Sequence, residues 1–99
     1  MTDAQIDRLR REKWARFRKA NDMADDAPFV GEPMKEYVEE QLDALNYLDV
    51  ERVRAEISCD AAKLQVLEML AYLSRQALYL IEASPSPIVQ RDSKLLLPN

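Results

Sequence analysis

The stretch Met34-Lys35-Glu36-Tyr37-Val38-Glu39-Glu40-Gln41-Leu42-Asp43-Ala44-Leu45-Asn46-Tyr47-Leu48 decides the fold of this chain. Met34, Val38, Leu42, Leu45 and Leu48 recur at spacings of three and four, the period that aligns apolar side chains along one side of an α-helix. Glu36, Glu40, Asp43 and Tyr47 fall roughly opposite, with Glu39 and Asn46 on a border. The segment therefore reads as an amphipathic helix with an apolar inner stripe and an acidic outer face. Pro33 suits its first turn, because the fixed φ of proline is already helical and its missing N–H has no intrahelical partner there. Asp49 offers a cap for a fresh helix over Val50–Ile57, but no Gly or Pro enforces a break, so one continuous helix fits equally well.

Working outward toward the C-terminus, Ser58 or Asp60 can cap a further helix over about Ala61 to Ala83. Its Leu64, Val66, Leu67, Met69, Leu70, Leu73, Leu78, Leu80 and Ile81 nearly encircle it, so it requires cover on more than one side, partly from a second subunit. Toward the N-terminus, Thr2 or Asp3 can cap a first helix reaching about Asn21. Ile6, Leu9, Phe17 and Ala20 lie along one side with Trp14 on the shoulder, and are expected to bury a narrow stripe. From Asp22 to Pro33 the pattern breaks into Asp, Ala, Pro and Gly, an ordered linker expected to pack through Phe29 and Val30.

A chain with a single glycine, Gly31, is hard to reconcile with a sheet protein. The fold class is all-α: a small helical hairpin or bundle of two to four helices, completed by oligomerisation. One helical domain is expected over 1–83, followed by an irregular tail over 84–99. There Ser84-Pro85-Ser86-Pro87 cannot continue the helix, while Ile88-Val89 and Leu95-Leu96-Leu97 are apolar enough to lie along a neighbouring surface.

Composition bounds the function. With 99 residues, 47% hydrophobic and 32% charged, the chain is of folded, single-domain type. It is short enough that at least a dimer is expected. Cys59 is the only cysteine and histidine is absent, which excludes Cys/His zinc sites and His-based triads within one chain. The lone cysteine and the lack of a signal-like start point to the cytoplasm, or the host cell cytoplasm if the protein is phage-encoded. No apolar run is long enough for a membrane span. The net charge of −4 argues against a general nucleic-acid binder, yet its distribution is uneven. Seven basic residues and one acid lie between Arg8 and Lys19, a net of +6, so the remainder carries −10.

Two constellations carry chemistry. Glu36, Glu39, Glu40 and Asp43 recur at helical spacing and offer several oxygens to one hard cation such as Mg²⁺; equally, they form the solvated side of a helix. In the first helix, Arg16 and Lys19 suit phosphate and Trp14 suits a base, as in nucleotide recognition. The alternative is that Trp14 is core and the arginines pair with acidic residues. Tyr72 and Tyr79 share one side of the last helix and read as packing or an interface. Cys59 lies at a helix junction and reads as an inert thiol.

The segment Glu39–Leu48 resembles the metal-binding helix of the MazG-like all-α NTP pyrophosphohydrolases, including small phage versions. In that family a Glu-Glu-x-x-Glu cluster on one helix and a Glu-x-x-Asp pair on the next hold Mg²⁺ for hydrolysis of a triphosphate. Glu40 and Asp43 match the second pair; the preceding helix is basic and supplies no first cluster. The resemblance implies Glu39, Glu40 and Asp43 as metal ligands, Glu36 as a further ligand or water-orienting base, and Arg16 and Lys19 on phosphate. The reading preferred from the residues is a non-enzymatic, cofactor-free helical interaction module, an inhibitor or regulator of phage or mobile-element type. It would present charged helical faces, with Glu36, Glu40 and Asp43 meeting a protein partner.

Overall fold

The computed structural model describes residues 1–84. Among these are three α-helices and no strand: α1 (Asp3–Ala20), α2 (Pro33–Ile57) and α3 (Ala61–Ala83). The expected tail, with Ile88-Val89 and Leu95–Leu97, lies outside the described residues from position 85 onward. The chain divides into two compact units, Met1–Val30 and the part from Gly31 onward.

In the first unit, Thr2 caps α1 through a reciprocal box. Its hydroxyl accepts from the Gln5 backbone N–H, and the Gln5 side chain accepts from the Thr2 N–H. The helix ends in a Schellman turn, with the Asp22 N–H donating to Lys19 and the Met23 N–H to Arg18. Asp22 takes the left-handed φ of 52° that the turn requires. The following loop is tied back by Arg18, whose guanidinium donates to the carbonyls of Ala24 and Ala27. Trp14, Phe17 and Phe29 form a small aromatic cluster, with Trp14 stacked on Phe17 at 5.1 Å and Phe29 tilted against both.

Two expectations for this unit need correction. α1 has no buried residue: Ile6, Leu9, Trp14 and Phe17 remain 40–47% exposed. Its other sides carry charged side chains, and the ring of Phe29 returns over its apolar side against Trp14 and Phe17. Val30 does not pack either, standing 93% exposed.

The second unit is an α2–α3 hairpin. α2 begins at Pro33 and runs without interruption through Asp49 to Ile57, because Asp49 spends its carboxylate on Arg52 at i+3 rather than on a backbone N–H. The helix closes in another Schellman turn: the Cys59 N–H donates to Glu56 and the Asp60 N–H to Ala55, with Cys59 left-handed at φ 55°. Asp60 caps α3 by accepting from the Lys63 N–H. Three residues, Ser58, Cys59 and Asp60, thus serve as turn and caps between long helices.

Val38, Leu78 and Ile81 form the buried core near the open end of the hairpin, with Met34 and Leu45 packed against them. Ala55 and Leu67 are buried toward the turn. Leu42, read as part of the inner stripe, is exposed instead. The helical period carries it about 60° around from Leu45 and off the side that faces α3. Helix α3 is covered along one side only among the described residues; Val66, Met69, Leu70, Leu73 and Leu80 are exposed.

Candidate functional site

The sequence candidates fall into both units. Arg16, Lys19 and Trp14 belong to the first, and Glu36, Glu39, Glu40, Asp43, Tyr72 and Tyr79 to the second. Of the seven basic residues of α1, three are engaged locally. Arg8 approaches Glu12 at 3.9 Å, Arg10 approaches Asp7 at 3.7 Å, and Arg18 holds the loop while lying 5.5 Å from the centre of the Trp14 ring. Arg11, Lys13, Arg16 and Lys19 make no ion pair within their unit among the described residues. Trp14 stacks on Phe17 with one face and is approached by Arg18, while remaining 43% exposed.

The acids of α2 separate into two groups. Toward the C-terminal end, Asp49 and Glu56 both take Arg52, at 2.8 and 2.6 Å. Glu51 takes Arg54 at 3.0 Å and Lys63 of α3 at 2.7 Å, the latter linking the two helices beside their turn. The Lys63 hydrogen bond, followed by that of Arg54, holds the Glu51 carboxyl below its ordinary pKa of 4.5. Hydrogen bonds from Arg52 to Asp49 and Glu56 raise the Arg52 pKa further, so its charge is constant.

Toward the N-terminal end, Glu36, Glu39, Glu40 and Asp43 are all exposed and make no ion pair within their unit among the described residues. Helical geometry places them on the side of α2 turned away from Val38 and Leu45. Among the described residues no three acidic or cysteine side chains gather in a group able to hold a metal ion. Glu39, Glu40 and Asp43, the Mg²⁺ ligands that the family resemblance implies, lie on this exposed side and form no such group by themselves. They form an exposed negative surface with no ion pair in their unit among the described residues, assisted at Glu36 by the positive end of the helix dipole.

Two grooves flank the α2–α3 seam. One, of about 690 Å³, runs between Leu45, Leu64 and Leu67 and is bordered by charges: Asp49, Arg52, Glu56, Glu68 and Arg75. Tyr72 stands in its wall, half exposed, with Tyr79 two turns on along the same side of α3. The other, of about 520 Å³, is lined by Tyr37, Ala44, Tyr47, Leu70, Leu73 and Ala77 and contains no charged residue. This contrast between the two grooves has a signal in the sequence, the heptad spacing of α3, that the composition of the helix obscures. Cys59 is exposed in the turn, ahead of α3, and Lys63 is engaged with Glu51.

None of the described helices is long and apolar enough to cross a membrane. Comparison with family models, with characterised proteins and with solved structures gave no match.

Proposed function

We propose that this chain is a non-enzymatic helical interaction module that recognises a protein partner through charged helical faces, acting as an inhibitor or regulator of that partner. The observation that carries the reading is the division of acids along α2. Asp49, Glu51 and Glu56 are neutralised locally, whereas Glu36, Glu39, Glu40 and Asp43 stand exposed over about two turns and make no ion pair within their unit among the described residues. Unpaired like charges at helical spacing destabilise a helix by a few tenths of a kcal/mol each. A basic surface docked on them would relieve that repulsion, fix the register and speed the encounter. On α1, Arg11, Lys13, Arg16 and Lys19 form a surface of opposite sign for an acidic part of the same partner.

The test is affinity retention of proteins from the cells in which the chain occurs. The full chain is compared with its Glu36→Gln, Glu40→Gln, Asp43→Asn variant, at about 0.1 M salt and about 1 M salt, where the screening length falls from about 10 to about 3 Å. The reading expects a protein held by the native chain, weakened by neutralisation and released by salt. Retention that is identical for both chains removes the acidic face from recognition.

A further inference from the structure

Helix α3 carries two heptad series offset by one residue. Leu67, Ala71, Ser74, Leu78 and Ile81 follow spacings of four, three, four and three, and this series is turned to α2, with Leu67, Leu78 and Ile81 buried. Val66, Leu70, Leu73, Ala77 and Leu80 repeat the same spacings one position earlier, and their large side chains are exposed. An offset of one residue turns the helix by about 100°, close to the right angle between the two neighbours of a helix in a four-helix bundle. A two-helix hairpin uses one such seam. The presence of a second, apolar seam means that α3 is built for two neighbours.

We infer that the occupant of the second seam is another copy of this chain, packed about a twofold axis to form a four-helix bundle. The groove beside this seam is lined by no ionised side chain, so its closure places none at the centre of the contact. For two copies of a chain with net charge −4, this uncharged side avoids the like-charge contact that the acidic side of α2 would impose. Ala44, Ser74 and Ala77 keep the floor low enough for a neighbouring side chain to enter, and Leu70 and Leu73 supply that side chain, so the surface complements itself.

The available area is adequate. Tyr37, Tyr47, Val66, Leu70, Leu73 and Leu80 are 43–74% exposed. At roughly 200 Å² for a large side chain these offer roughly 700 Å² per copy, within the roughly 600–1,000 Å² that a stable interface buries on each side. With antiparallel α3 helices the axis falls at Leu73, the middle of the series, and Val66 meets the partner's Leu80. The α3 variants that test this interface leave the acids of α2 in place, so its failure and that of the charged-face reading are distinguishable.

The test is sedimentation equilibrium of the full chain, with circular dichroism to monitor helix content. The native protein is expected at twice its 11.5 kDa chain mass. Leu73→Glu, at an exposed position, is expected to keep its helicity while weakening the dimer roughly a hundredfold or more, because each interface then buries two carboxylates. Tyr72→Glu, on the charged-groove side, should remain dimeric. In a Cys59→Ser background, Leu73→Cys should form a covalent dimer on mild oxidation and Tyr72→Cys should not. A monomeric native chain, a dimer unaffected by Leu73→Glu, or cross-linking through Tyr72→Cys in place of Leu73→Cys overturns the inference.

Discussion

Replacing Cys59 by glycine should stabilise the protein, although it removes a side chain and adds no contact. Cys59 holds φ 55° at the position where the α2 helix unwinds into the cap of α3. A residue with a Cβ costs about 1–2 kcal/mol in the left-handed region, from the approach of Cβ to the carbonyl oxygen, and glycine escapes that term. Glycine also loses about 0.5–1 kcal/mol more in chain entropy on folding. The Cys59 side chain is exposed, so little burial is forfeited. The balance is a gain of about 0.5–1 kcal/mol, equivalent to roughly 2–8 °C in the midpoint for a chain of this size. The assay is thermal and urea denaturation of Cys59→Gly beside Cys59→Ala, which retains the Cβ and should match the native protein within about 0.5 kcal/mol. A glycine variant no more stable than the alanine variant would refute the left-handed junction.

Three further expectations follow from particular contacts. Val38 is fully buried against Leu78 and Ile81; Val38→Ala should cost about 2–3 kcal/mol from two lost methyl groups and the resulting cavity, and a loss under about 1 kcal/mol in urea titration would contradict this packing. Arg18→Met removes both donors to the Ala24 and Ala27 carbonyls; emission from Trp14, the only tryptophan, should move to longer wavelength as the loop loosens, whereas an unchanged spectrum would show that Arg18 does not hold it. The lowered pKa of Glu51 means that its contribution to stability is complete above pH 4.5 and disappears as pH falls through the lower folded-state value. The urea midpoint of the native chain should therefore fall further than that of Glu51→Gln between pH 7 and pH 3. Equal falls would sink the Glu51–Lys63 link.

The elements that local chemistry specifies were legible in the sequence. Thr2, Pro33 and Asp60 mark the helix starts because each satisfies or lacks a terminal N–H, and the three-four spacing of Met34, Val38, Leu45 and Leu48 locates the inner side of α2. Leu42 misled because the same spacing admits a wider stripe than a single partner helix can cover. The two Schellman turns were hidden because Asp22 and Cys59 occupy positions where glycine would have announced them. At the candidate site, the i+3 and i+4 pairing of Asp49 and Glu56 with Arg52 was present in the sequence. The Lys63–Glu51 bridge depended on how the hairpin brings α3 beside α2. Arg18 read as one of seven similar cations; only the return of the loop distinguishes it.

The most direct test of the central claim, that Glu36, Glu39, Glu40 and Asp43 form a recognition surface rather than a catalytic metal site, is calorimetric titration of Mg²⁺ and Mn²⁺ into the full chain. It should be run with and without mixed nucleoside triphosphates, and the same samples assayed for pyrophosphate. No saturable heat of metal binding and no pyrophosphate above the protein-free rate are expected. Stoichiometric metal binding accompanied by pyrophosphate release, and abolished by Asp43→Asn, would contradict it.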